Sequence, residues 1–107
     1  MIEDSEMRDL FRIESSEHIQ AIEEGLLKLE KDPVNLPLLE ELFRDAHSLK
    51  GAARMLELSD IERVFHRFED ILGKTKSSGI PMATATIYCM CQSLTATRRL
   101  VDEAVSG

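Results

Sequence analysis

His47 stands in the run Phe43-Arg44-Asp45-Ala46-His47-Ser48-Leu49-Lys50-Gly51-Ala52-Ala53, on the polar flank of a segment whose apolar residues recur every three or four positions. A histidine kept for packing would fall inside the apolar stripe. This one has Arg44, Lys50 and Arg54 around it and a glycine, Gly51, one turn later. A neutral imidazole carries one lone-pair nitrogen, so a carboxylate that accepts a hydrogen bond from Nδ1–H leaves Nε2 free to attack an electrophile. Phosphorus is the electrophile that fits best. Phosphoryl transfer asks a protein mainly for positioning and for positive charge near the equatorial oxygens, which Lys50, Arg44 and Arg54 can supply. Gly51 opens space for the phosphoryl group and an incoming partner; a glycine inside a helix costs about 1 kcal/mol against alanine, which asks for such a reason.

The elements that must position these groups are all helical by periodicity, and no stretch reads convincingly as a strand. Residues 4–30 form the first helix, with Leu10, Phe11, Ile19, Ile22, Leu26 and Leu29 on its apolar side, and Lys31-Asp32-Pro33 ends it. Residues 37–56 form the second, opened by Pro37, whose missing N–H costs nothing in a first turn; Leu39, Leu42, Phe43, Ala46, Leu49, Ala53 and Leu56 make its stripe. Residues 60–76 form the third. Ser59 and Glu62 read as a capping box there, and Ile61, Val64, Phe65, Phe68, Ile71 and Leu72 as its buried side. Gly73 or the Ser77-Ser78-Gly79 stretch stops it, and a weaker stripe of Ile87, Met90, Leu94, Val101 and Val105 marks a fourth helix over 82–105. Short loops then predict one domain over residues 1–107, an all-α, antiparallel up-and-down four-helix bundle.

Helical geometry aligns the reactive groups. At about 100° per residue, His47 lies roughly 120° from its stripe centre and faces water at the bundle's edge. Glu69 lies about 100° from the centre of the third helix's stripe, nearer the seam than His66. His47 precedes the tight turn by as many residues as Glu69 follows it, so both sit about 14 Å from that turn. His66 would be about one turn closer to the loop.

Composition narrows the partners. The 107 residues carry 13 Lys and Arg against 20 Asp and Glu, a net charge of −7, which disfavours nucleic acid or an anionic membrane as a partner. No apolar run approaches the roughly 20 residues that span a bilayer. Cys89 and Cys91 point about 200° apart on a helix and are poorly placed to bridge each other, which fits reduced thiols and a cytoplasmic home. Glycines 25, 51, 73, 79 and 107 are scattered, so no Gly-rich phosphate loop and no ATP site is expected, and the segment cannot phosphorylate itself unaided.

The segment Ala46-His47-Ser48-Leu49-Lys50-Gly51-Ala52-Ala53, with His66 and Glu69 following, resembles the histidine phosphotransfer domain at the N-terminus of CheA-type chemotaxis kinases. The likeness runs over nearly the whole chain, including the Ile22-Glu23-Glu24-Gly25-Leu26-Leu27-Lys28-Leu29-Glu30 texture of the first helix, although only the histidine-lysine-glycine core is specific. It implies that His47 is phosphorylated by the ATP-binding domain of a CheA-like kinase and hands the phosphoryl group to an aspartate in a response regulator receiver domain. Lys50, His66 and Glu69 are implied as the network around the phosphohistidine. ATP and magnesium are implied as the partner kinase domain's reactants, with no cofactor in this domain, which is expected to be a monomer. Ala52 departs from relatives that carry a second glycine or a serine there. The segment is then the carrier domain of a longer signalling protein, with Ser106-Gly107 as an internal boundary.

Other classes fit less well. No Glu stands three residues before any histidine, so the Glu-x-x-His pairs of di-iron bundles are missing, and Cys-x-Cys on a helix cannot converge on zinc. A bundle serving only as an adaptor leaves the basic surround of His47 and its levelled carboxylate unexplained. A free-standing relay between receiver domains shares the four-helix core and the histidine, and is the second reading. His18, between Glu17 and Ile19, reads as structural or simply exposed, and Met55, Met82 and Met90 as core or boundary fillers.

Overall fold

The computed structural model describes residues 4–106; Gly107, half of the expected boundary, lies outside them. Four helices follow one another: α1 (Ser5–Lys31), α2 (Leu36–Met55), α3 (Ser59–Ser78) and α4 (Thr84–Val105). Each helix packs against its sequence neighbours and α4 closes against α1, which makes an antiparallel four-helix bundle 42 × 20 × 19 Å. The long dimension is set by α1, whose 27 residues extend about 40 Å at 1.5 Å each. The α2–α3 seam is the most extensive and the α3–α4 seam the slightest.

The ends follow local chemistry. Asp4 caps α1 by accepting from the backbone N–H groups of Glu6 and Met7, and Asn35 caps α2 by accepting from Leu38 N–H, with Pro37 in the first turn. The capping box expected at Ser59 and Glu62 does not form. α3 begins one residue earlier than its sequence signal, so Ser59 already lies inside the helix and Leu58 stands at the cap without a side-chain acceptor. Glu62 instead faces Arg54 of α2 across 3.9 Å. Gly73 is an interior helical residue, and α3 ends at Gly79, whose φ of +69° is the left-handed geometry glycine adopts without steric cost.

The core stripes follow those of the sequence, with a few adjustments. Leu10 is 56% exposed: it adjoins Phe11, so it points about 100° away from the buried line. Ser15 and Thr97 take core positions, completing the lines Phe11-Ser15-Ile19-Ile22 and Leu94-Thr97-Val101-Ala104. Each returns its hydroxyl to the carbonyl four residues back, and no buried side-chain polar atom among the described residues is left without a partner. Val64, Ile71 and Val105 are half-buried around this core.

The side that carries His47 depends on the turn between α2 and α3. Only Leu56, Glu57 and Leu58 connect the two helices, and Leu58 N–H bonds back to Ala53 C=O while Glu57 N–H bonds to Arg54 C=O. This paired closure terminates α2 and reverses the chain at once, so α3 returns directly alongside it.

Candidate functional site

α2 presents His47 outward and α3 presents Glu69 beside it. His47 Nδ1 lies 2.7 Å from Glu69 Oε2, and Lys50 Nζ donates to Glu69 Oε1 at 2.9 Å. The His47 side chain is 65% exposed, whereas those of Glu69 and Lys50 are 15% and 20% exposed. The reactive ring therefore stands in solvent on a support that does not. Burial pushes the Glu69 carboxyl up, but the hydrogen bonds from Lys50 and His47 and the charges of both together outweigh it and hold it below its ordinary range. An ionised carboxylate can only accept, so Nδ1 carries the proton, and in the neutral ring Nε2 then presents its lone pair to water.

Phe43, one turn before His47, lies parallel to the imidazole with centroids 6.4 Å apart and planes 6° apart. Lys76 Nζ sits 6.0 Å from the Phe43 centroid, bringing a further cation to the same flank. Sequence reasoning placed Phe43 in the core stripe and overlooked Lys76. The signals were present: Phe43 precedes His47 by four residues and Lys76 follows Glu69 by seven, so each shares a helix face with a site residue. Gly73 lies between Glu69 and Lys76 on that face. A Cβ there would meet Phe43 at 3.6 Å, an ordinary contact.

The other expected site residues are distributed differently. Gly51 is exposed one turn after His47, and a Cβ built on it meets nothing within 4 Å. Arg54 points toward Glu62, and Arg44 is exposed with no ion pair among the described residues. His66 is not part of the network. Its Nε2 lies 4.0 Å from Asp70 Oδ1 on its own helix, and it makes no hydrogen bond to His47, Lys50 or Glu69. Cys89 and Cys91 are unbridged, and no three His, Cys, Asp or Glu side chains among the described residues converge in a way that could hold a metal ion.

A four-helix bundle that exposes an imidazole oriented through Nδ1 by a carboxylate on the adjacent helix has the architecture of a histidine phosphotransfer domain. The Hpt domain family model matches residues 6–104, and the chain belongs to that family. Among solved structures it is similar to the CheA phosphotransferase domain from Thermotoga maritima, at 31% identity and TM-score 0.89, covering 96% of this chain and 98% of that one. It is also similar to the phosphorylated P1 domain of CheA3 in complex with CheY6 from R. sphaeroides, at 26% identity and TM-score 0.87, covering 96% of this chain and 80% of that one. The chemotaxis protein CheA of Listeria monocytogenes is 40% identical over 72 residues, which is 67% of this chain and 12% of that protein. The chain thus spans about an eighth of the length of that relative.

Proposed function

We propose that this domain is the phosphoryl carrier of a CheA-type signalling kinase. His47 Nε2 attacks the γ-phosphorus of ATP held with Mg²⁺ by the kinase catalytic domain; an N–P bond forms as the bond to the ADP oxygen breaks. An aspartate oxygen of a response regulator receiver domain then attacks the same phosphorus, and the electron pair of the N–P bond returns to Nε2. Attack through Nε2 places positive charge on the ring, which the Glu69 carboxylate beside Nδ1–H offsets, while Lys50 balances the carboxylate and limits its repulsion of phosphate. His66, Arg44 and Arg54 act from the rim, where a docked partner brings its phosphate, and Gly51 leaves that approach clear.

The observation that carries this reading is the 2.7 Å contact between Nδ1 of an exposed His47 and a mostly buried Glu69. A phosphorylated P1 domain seen in complex with CheY6 supports a CheY-type protein as the partner of the phosphorylated domain. No helix among the described residues is long and apolar enough to cross a membrane. The two unbridged cysteines support a cytoplasmic location.

The test is incubation with ATP, Mg²⁺ and a CheA-type catalytic domain, followed by parallel acid and base quenching. Wild type gains label that survives base and is lost in acid, as phosphohistidine does, and His47→Gln gains none. Label persisting in His47→Gln assigns the nucleophile elsewhere.

A further inference from the structure

Asp45, two residues before His47, engages a second imidazole. His18 of α1 places Nδ1 2.7 Å from Asp45 Oδ1, with the two side chains 33% and 24% exposed. Two positions along a helix turn a side chain by about 200° and advance it about 3 Å, so Asp45 and His47 leave opposite flanks of α2 at nearly one level. α2 is therefore gripped on both sides. His18 holds it through Asp45 from α1, and Glu69 holds it through His47 and Lys50 from α3.

Among the described residues, His18 to Asp45 is the one side-chain hydrogen bond that joins α1 to α2. The buried part of that seam is apolar, with Gly25 set closely against Leu42, while Glu24, Lys28 and Glu41 line its outer groove without bonding across it. Apolar packing turns the stripe of α2 inward and sets its approximate rotation, and a directional polar pair specifies that rotation more finely. The lever is long enough to matter. Side-chain atoms sit about 5–6 Å from a helix axis, so a rotation of α2 by about 20° moves His47 by about 2 Å, enough to break its bond to Glu69.

We infer that His18 is a positioning residue, which through Asp45 sets the rotation of α2 and keeps His47 Nδ1 in register with Glu69. This rests on the reading of His47 as the phosphoacceptor. His18 is not a second acceptor: no lysine or arginine bonds its carboxylate partner, and Glu14 and Glu41 each stand one turn away on the same two helices. Carboxylates outnumber Lys28, the one cation lining the same groove as Asp45, and repel an anionic phosphoryl group there.

Two variants test it in the intact domain. His18→Leu keeps bulk and removes the donor; His18→Asn places an amide N–H where Nδ1 stands. The direct readout is the imidazole ¹⁵N shifts of His47, which report the nitrogen that carries the proton. His18→Leu is expected to shift His47 from an Nδ1–H form toward a mixture of tautomers. It is also expected to lower kcat for phosphoryl acceptance about tenfold with KM for the kinase domain unchanged, because docking groups are untouched. His18→Asn restores both. Asp45→Asn, which keeps an oxygen acceptor in place, is the milder arm in case His18→Leu does not fold, and it gives a smaller shift in the same direction. Unchanged His47 shifts and unchanged kcat in either folded disruptive variant overturn the inference, even with a lowered melting temperature, because they leave the pair as a plain structural tie. A wild-type domain that takes no phosphoryl group, while its His47 shifts still respond to His18, removes the carrier reading and leaves the positioning role standing.

Discussion

Glu69 receives His47 on one carboxylate oxygen at 2.7 Å and Lys50 on the other at 2.9 Å, so one side chain of α3 orients both an imidazole and an ammonium of α2. Glu69→Ala removes the orienting acceptor without touching the nucleophile. Phosphoryl acceptance is expected to slow roughly tenfold to a hundredfold and not to cease, since orientation is only part of the barrier. The same change leaves a largely covered Lys50 without its partner, at a cost of about 1–2 kcal/mol in stability. Rates of acid-labile phosphate incorporation, read beside denaturant unfolding, separate the two effects. An unchanged rate removes Glu69 from the site.

The carboxyl of Glu69 also gives the domain a pH signature. Burial raises its pKa, the bonds and charges of Lys50 and His47 lower it further, and the net direction is down from an ordinary value of 4.5. A carboxylate with a depressed folded pKa contributes stability that is complete above the ordinary value and is lost as pH falls through the lower folded value. Wild type is therefore expected to melt above Glu69→Gln from neutral pH down to about pH 4.5, and the gap to close below it. A gap that stays constant down to pH 3 contradicts the assigned ionisation.

Much of this site was legible because it depends on counting. The short turn makes α2 and α3 antiparallel, and nearly equal residue counts on either side bring His47 and Glu69 to one height whatever the packing details. His66 shows where counting stops. Three residues before Glu69 it lies about 60° further round the helix, so its ring turns to solvent and meets Asp70 four residues on. Lys76 and Phe43 were hidden for a related reason, since their approach depends on side-chain direction across the seam. Ser15 and Thr97 looked like gaps in apolar stripes; a hydroxyl that bonds its own helix's carbonyl is satisfied locally and can be buried at little cost. The Ser59 box failed on a one-residue shift of the helix start, the scale on which helix boundaries are least determined by composition.

Gly51 separates stability from function. It lies inside α2, exposed, and a Cβ added there touches nothing. Gly51→Ala is expected to stabilise the fold by about 1 kcal/mol, raising the melting temperature by roughly 4–8 °C. Gly51→Leu keeps helix content but projects a branched side chain into the approach to Nε2. Its phosphoryl acceptance is expected to fall at least about tenfold in kcat/KM, equivalent to roughly 1.4 kcal/mol of lost transition-state binding. Normal labelling of the leucine variant sinks the clearance argument, because the helix then carries a glycine penalty that no partner requires.

Glu57 supplies the complementary case, a backbone effect remote from the chemistry. It closes α2 with φ at +59°, in the left-handed region, at the position where the paired Leu58 and Glu57 hydrogen bonds favour glycine. A side chain there costs roughly 1–2 kcal/mol in the folded state, whereas glycine avoids that strain but loses more unfolded-chain entropy, offsetting about half of the gain. Glu57→Gly is thus expected to stabilise the domain by about 0.5–1 kcal/mol. The turn lies about 15 Å along α2 from His47, so the rate of phosphoryl acceptance should not change. A stabilised domain with an altered rate would mean that the turn's conformation is coupled to the height at which His47 meets Glu69, and that the α2–α3 pair does not behave as a rigid unit.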